Sequence, residues 1–448
     1  MALDFPFVRR QPNIPPTKPS SENFLSEAPS PTTVNPQLDQ SDLSANAVAV
    51  VTALREAGFE AYLVGGCVRD MLLGRTPKDF DVATDATPEE VKEVFPRARL
   101  VGRRFRIAHV QFRGEYIEVS TFRRGNPDED DDDDVPSGAN HRSVDGVILR
   151  DNLYGTRDED ALRRDFTVNA FYYDPIDDVL LDYSDGLRDI GERTLRTIGD
   201  PKTRFREDPV RILRAMRFAA KLDFGLHADT EQAIAPLAEL LTAISPSRLF
   251  DEFNKLFMRG HAVAAWTLMC RFDLPEILFP LFENEDALVR VALKNTDDQI
   301  REDKRVTSAF LLAAMCWPEF ERRSALSATA RNAADERLKA AHAVISEQSL
   351  TIAIPRRMTF FIRDVWRLQT RLERKSVRGI LDHPRFRAAY DFLAIRAEVG
   401  EADTELVQWW TDAQEARGTD ENTPASQPRR RRRRRYRGRR SDARQVRP

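Results

Sequence analysis

Asp79-Phe80-Asp81 sets two carboxylates two residues apart. In extended backbone that spacing turns both to one face and sends Phe80 to the other. Neighbouring carboxylates repel unless a cation sits between them. Magnesium suits such a pair, because it takes hard oxygen ligands and also binds triphosphates. Two such ions about 3.5–4 Å apart activate an attacking hydroxyl and stabilise a leaving oxygen. Glu118 offers a third carboxylate. Strand alternation turns it away from Ile117 and Val119 and toward the metal face. An Asp-x-Asp pair by itself is common on surface strands and identifies little.

The run Gly65-Gly66-Cys67-Val68-Arg69-Asp70 just upstream sharpens the signal. Two glycines after a strand let the backbone turn tightly and present amide groups to an anion. A helix opening there adds a favourable dipole, and Arg69 adds a fixed positive charge shaped for phosphate. Asp70 reads as a structural partner. Cys67 reads as a small packed side chain, since no His or Asn arrangement for a thiol nucleophile accompanies it. Farther along, Asp208 and Arg211 are expected three apart on one helix, sharing a face. A carboxylate accepts from an exocyclic amine and a guanidinium donates to ring nitrogens, so the pair can read a base edge with no template strand. Arg214 lies further along the same face, within reach of phosphate or base.

Short strands must carry these groups. Alternation and β-branched residues predict strands at Tyr62–Val64, Phe80–Ala83, Ile107–Phe112, Tyr116–Phe122, Phe171–Tyr173 and Val179–Asp182. Ser41-Asp42 is expected to cap a helix that stops at Gly58, and a second helix is expected over Val68–Leu73. Thr87-Pro88-Glu89-Glu90 has the form of a capping box with proline in the first turn. From about Thr203 the apolar spacing is helical nearly everywhere. The expected fold class is therefore α+β: a head over residues 42–185 with a mixed or antiparallel sheet, then an all-helical neck and body. The neck is expected over residues 186–270, with base and RNA recognition, and the body over 271–412. Residues 1–41, rich in Pro, Ser, Asn and Gln, bury too little to repay ordering, and residues 413–448 have almost no apolar side chains. Both ends are expected to be disordered.

The chain has 448 residues, 41% of them apolar, enough for two or three domains with sizeable cores. Its net charge of −3 hides segregation. The acidic run Asp128–Asp134 falls in an expected loop at 124–146 and reads as a solvated stretch, not a metal cluster. The arginine run near the other end is its opposite. Cys67, Cys270 and Cys316 give neither a disulfide framework nor a zinc spacing, which fits a reducing cytoplasm. No stretch is long and apolar enough to span a bilayer, and the first residues lack the apolar core of a signal peptide. A cytoplasmic location with no membrane partner is expected.

Three ordered blocks carry a family resemblance. The run Tyr62 to Thr87 resembles the head-domain signature of class II nucleotidyltransferases, the group that contains bacterial poly(A) polymerases and CCA-adding enzymes. Arg163-Arg164-Asp165-Phe166-Thr167-Val168-Asn169-Ala170 is similar to that family's ribose and phosphate motif. Glu207-Asp208-Pro209-Val210-Arg211-Ile212-Leu213-Arg214 is similar to its base-recognition motif. The resemblance implies a polymerase-beta-like head. It implies that Asp79, Asp81, Glu118 and Asp165 are catalytic and that Asp79 and Asp81 hold two Mg2+ ions. Gly65, Gly66, Arg69, Arg164, Asp208, Arg211 and Arg214 would bind the nucleotide, with Arg164 near the triphosphate and Asp165 near the ribose.

The segment Leu100 to Val110 resembles bacterial poly(A) polymerases and lacks the Gly-Thr pair general in CCA-adding enzymes. No His-Asp pair occurs, so the phosphohydrolase domain fused to some CCA-adding enzymes is not expected. The implied reaction is template-independent transfer of AMP from ATP to RNA 3′ ends with release of pyrophosphate, as a step of mRNA processing. CCA addition to tRNA is the alternative, and non-catalytic RNA binding a more remote one. Arg103, Arg104 and the tail arginines Arg429, Arg430, Arg431, Arg432, Arg433, Arg434 and Arg435 are expected to meet RNA phosphates without reading sequence. His109 is expected to be a satisfied structural histidine. RNA and ATP are the expected partners, with RNA-processing proteins as further ones.

Overall fold

The computed structural model of the chain describes residues 30–36, 38–102, 106–124, 154–281, 287–326, 333–377 and 379–421. The chain divides into two compact units, Met1–Glu252 with Ala264–Leu278 and Phe253–Val263 with Phe279–Pro448. Arg103, Arg104, the acidic run and the arginine tail lie outside the described residues.

The first unit is built on an eight-stranded sheet of β1 (Thr32–Val34), β2 (Ala61–Val64), β3 (Asp81–Thr84), β4 (Arg99–Val101), β5 (Ile107–Gln111), β6 (Tyr116–Thr121), β7 (Phe171–Asp174) and β8 (Val179–Asp182). Their spatial order is β1-β8-β7-β2-β3-β6-β5-β4, and β3 and β6 alone run parallel. The sheet is therefore mixed, as the sequence predicts.

Each strand sends alternate residues to opposite faces, and the two faces differ. On one, Leu63, Val82, Ala108, Ile117, Val119, Tyr173 and Leu180 form a single core with Val50, Val51 and Leu54 of α1 (Ala45–Glu56). Val91 of α3 (Pro88–Val94) joins it. Packing of this kind holds the strands in register, because a one-residue slip would turn the whole apolar set outward. On the other face Val64, Ala83, Phe122, Tyr172 and Tyr183 make a smaller aromatic cluster. That face is left open at one end for polar groups.

Local signals set the ends of several elements. Thr87 and Glu90 form the reciprocal capping box at α3, and Thr156 and Glu159 form another at α4 (Arg157–Leu162). The cap of α1 is Ser44, which accepts from the Ala47 amide. Ser41 and Asp42 sit instead in a short 3-10 turn, so the expected cap is displaced by one turn. The short helix after the glycines, α2, spans Gly66–Leu72. After β8 come α5 (Gly186–Gly191) and α6 (Pro201–Glu207), then α7 (Val210–Leu222) and α8 (Ala228–Leu237).

Two expected boundaries move. Residues 32–34 are not part of a disordered segment: β1 pairs antiparallel with β8, Thr32 opposite Asp182. Backbone pairing to a sheet edge, with Val34 packed against the core, orders a stretch whose composition offers little to bury. At the other end the last helix runs over Thr404–Glu421, past the expected limit at 412.

The second unit is helical. Trp366 stacks on Phe320 at 4.4 Å with their rings 11° apart, and its indole donates to the Ala313 carbonyl at 3.0 Å. Trp410 is fully buried and donates to the Leu372 carbonyl at 3.0 Å. Buried indoles with satisfied N–H groups anchor this core.

Candidate active site

The sheet register writes the site across the open face. Val64 pairs with Tyr172 on one side and with Asp81 on the other. Asp81 pairs with Glu118, and Glu118 with His109. Residues directly opposite in neighbouring strands point to the same face. Tyr172, Val64, Asp81, Glu118 and His109 thus form one row. Glu118 lies on the face opposite its buried neighbours Ile117 and Val119, as alternation requires. Asp79 precedes β3 and is exposed, and Phe80 is buried between the two aspartates.

Asp81 carries the signature of crowded negative charge. Burial, then Glu118, raises its carboxyl from the ordinary 3.8 to about 6; Asp79 adds to the rise and Arg164 opposes it. Among the described residues neither Asp79 nor Asp81 makes an ion pair. An uncompensated carboxylate pair of this kind fits a divalent cation. No group of three His, Cys, Asp or Glu side chains closes on one point among the described residues. Two carboxylates would leave most of a cation's shell to other oxygens, such as those of phosphate and water.

The row borders a cavity of about 840 Å³. Gly65 ends β2 with φ of 72° and forms the turn into α2. The positive φ calls for glycine, and a Cβ there would stand a tight 3.3 Å from Arg164 Nη1. Arg69 is 2% exposed; it donates to Asp70 at 2.6 and 2.8 Å and to Asn169 Oδ1 at 2.6 Å. Asp70 is thus the structural partner the sequence suggests. Cys67 is buried, donates to the Val64 carbonyl at 3.2 Å and has its thiol pushed up to about 12 by burial, which leaves it no nucleophilic role.

Arg164 follows α4 and also faces the cavity. It donates to Tyr172 Oη and Asp160 Oδ2, each at 3.2 Å, and lies over the Tyr172 ring at 5.1 Å. Asp165 is buried and accepts two bonds from Arg214, 2.6 and 2.9 Å, and one from Asn169 at 3.1 Å. Burial alone would raise its carboxyl, but Arg214 and Asn169 hold it below the usual range.

Asp208 and Arg211 do not share one helix. Asp208 caps the end of α6 in extended backbone (φ −139°), and α7 begins at Val210. Pro209 breaks the helical run that spacing alone suggests, because it has no N–H to continue it. Asp208 accepts from the Val210 amide at 3.1 Å and from Arg248 Nη2 at 2.8 Å. Arg211 is 2% exposed and uses Nη1 on the Arg204 carbonyl and Glu207, at 2.9 and 3.1 Å. Its Nη2 is buried with no hydrogen-bond partner among the described residues. Both residues still line the cavity, with Arg248 beside them.

Sequence reasoning misses Asp160, Tyr172, Asn169 and Arg248. Asp160 stands three and four residues before Arg163 and Arg164, a helical spacing that could have found it. Arg248 pairs across 40 residues and leaves no local signal. His109 stacks on Tyr116, lies 3.6 Å from Glu118, beyond hydrogen-bond reach, and faces the cavity.

A mixed sheet that presents a carboxylate row beside an arginine-lined cavity defines the head of a nucleotidyltransferase. The chain matches the "Poly A polymerase head domain" over residues 61–196 and the "Probable RNA and SrmB- binding site of polymerase A" over 223–285. It also matches the "Polymerase A arginine-rich C-terminus" over 330–442. It is 45% identical over 401 residues to the Poly(A) polymerase I of Escherichia coli O6:H1, covering 84% of each chain. To that of Haemophilus influenzae it is 45% identical over 393 residues, covering 84% of this chain and 86% of the other. A CCA-adding enzyme of Lactobacillus helveticus is 38% identical over 250 residues, 56% of this chain and 59% of that one. A solved tRNA nucleotidyltransferase, complexed with a primer tRNA and an incoming ATP analogue, shares the fold with a TM-score of 0.56 at 22% identity. That match covers 82% of this chain and 99% of the other. The chain belongs to the bacterial poly(A) polymerase family.

Proposed function

We propose that the head cavity is where this polyadenylating enzyme joins AMP from ATP to an RNA 3′ end, with no template and with pyrophosphate as the leaving group. The observation that carries the reading is the register Asp81–Glu118–His109 set beside a cavity whose far lining holds Arg211 with its free buried donor. Asp79 and Asp81 would hold magnesium, which activates an attacking hydroxyl and neutralises charge on phosphate oxygens. Arg164 and Arg69 line the phosphate end. Asp165, fixed by Arg214 and Asn169, would lie near the ribose. Glu118, in register with Asp81, is placed to draw on the proton of the 3′-hydroxyl that attacks the α-phosphorus in line. Asp208 and Arg211 read the incoming base. Catalysis then comes mainly from positioning and from preset charge.

The cytoplasm is the proposed compartment. No helix among the described residues is long and apolar enough to cross a membrane. Arg103, Arg104 and the tail from Arg429 to Arg435 are proposed to hold RNA through its phosphates, with mRNA 3′ ends as substrates. The test is extension of one RNA primer with ATP, CTP, GTP and UTP supplied separately. Long tracts from ATP alone are expected. Addition of a few C and A residues to tRNA, with other primers ignored, would replace this reading with CCA addition.

A further inference from the structure

A single buried carboxylate holds two of the arginines that line the cavity. Asp160, 2% exposed, sits in the last turns of α4 and belongs to none of the groups assigned above to metal, nucleotide or RNA. Its Oδ1 accepts from Arg163 Nε at 2.8 Å and from the Arg123 amide at 3.1 Å. Its Oδ2 accepts from Arg164 Nη2 at 3.2 Å and from the Tyr172 hydroxyl. Tyr172 in turn accepts from Arg164 Nε at 3.2 Å and lies under its guanidinium. Arg123, Arg163 and Arg164 all line the cavity.

We infer that Asp160, with Tyr172, is a positioning residue that presets Arg164 to receive the phosphates of the incoming nucleotide. The inference rests on the reading that Arg164 meets those phosphates. Three constraints hold the guanidinium: Asp160 on Nη2, Tyr172 on Nε, and the Asn169 carbonyl at 3.3 Å from Nη1. The Gly65 turn approaches the same Nη1, and a Cβ there would stand only 3.3 Å from it. A long arginine left free loses rotamer freedom when it binds, and that loss is subtracted from affinity. One already held loses little. Buried among cations, Asp160 stays ionised across the working pH range, so the clamp is permanent and not a switch. Tyr172 ties the clamp to chemistry, because it stands in the same cross-strand row as Asp81.

The test measures KM for ATP and kcat on one RNA primer, with thermal stability, for Asp160→Asn, Tyr172→Phe, Arg164→Ala and the double variant Asp160→Asn/Arg164→Ala. Binding of ATP and of adenosine is measured alongside. Loss of a hydrogen bond to a charged group predicts that Asp160→Asn raises the KM for ATP about 10- to 100-fold while adenosine affinity holds. Tyr172→Phe should do the same more weakly, and it carries the test if Asp160→Asn does not fold. In the double variant Asp160→Asn should add nothing to Arg164→Ala, since both act through one guanidinium. An unchanged KM for ATP in Asp160→Asn, or in Tyr172→Phe where the former does not fold, overturns the inference. Equal losses for ATP and adenosine, or additive effects in the double variant, overturn it as well. An Arg164→Ala variant that binds ATP normally would instead overturn the assignment of Arg164 to the phosphates.

Discussion

The two units each carry a cavity of about the same size, close to 840 Å³ in the head unit and 800 Å³ in the helical one, and they handle charge in opposite ways. The cavity of the helical unit is lined by pairs such as Lys294–Asp298 and Arg387–Asp391, both at helical i,i+4 spacing and 2.9 Å. Their cations are about seven-tenths exposed. The head cavity is lined by partners drawn from distant parts of the chain, with at least one member of each pair buried: Arg69 with Asn169, Arg214 with Asp165, Arg248 with Asp208. Exposed local pairs contribute little and rearrange freely in water. Buried long-range pairs are fixed by the fold and lose much when one partner goes. Charge held in this second way is preorganised, and preorganisation is what a transferring phosphate requires.

The contrast is sharpened most by base reading. Asp208→Asn or Arg211→Ala should lower the preference for ATP over the other nucleotides by about 10- to 100-fold, since each removes a charged hydrogen-bonding group proposed to read the base. Discrimination ratios from competing nucleotides check this, and unchanged ratios would break the distinction between the two cavities. The next effect is on stability. Asp81 binds its proton more tightly folded than unfolded, so its ionisation opposes folding above about pH 4, fully so above about 6. Metal-free protein should therefore grow more stable as pH falls from 7 to 5. At pH 7.5 with a chelator, Asp81→Asn should stabilise the fold by roughly 2–3 kcal/mol. Chemical denaturation measures this, and a destabilised variant would show the carboxylate to be compensated.

A smaller effect concerns RNA. Deleting Arg429 to Pro448 should weaken primer binding and flatten its salt dependence while the nucleotide ranking stays the same. A salt series of primer affinities checks this, and an altered ranking would give the tail a role in base choice. Least of all, Lys294→Ala or Arg387→Ala in the helical unit should change stability by about 0.5 kcal/mol or less. A loss above 2 kcal/mol, or loss of transfer, would mean that this cavity too is preorganised.

What the sequence makes legible follows the same division. The α+β class, the head, and the side taken by Glu118 all rest on strand alternation, a local rule that the core of Leu63, Val82 and Val119 enforces. Asp81 and Gly65 stand inside one short block that spacing picks out, and both line the cavity. Partners joined only by folding are not. Asp208 reads as helical until Pro209 is given its due, and its partner Arg248 comes from another helix. Asp160 hides because an Asp before two arginines looks like an ordinary solvated helix end. β1 escapes because edge pairing is a property of β8, not of its own composition.

The most direct measurement is single-turnover transfer of AMP from ATP to an RNA primer by Asp81→Ala, at saturating magnesium, with thermal stability recorded on the same preparation. Asp81 is the member of the carboxylate row that faces both Glu118 and the cavity. Its loss should abolish transfer, by about a thousandfold or more, while the protein stays folded and still binds primer. Near-normal turnover by folded Asp81→Ala would contradict the assignment of this row, and with it the site.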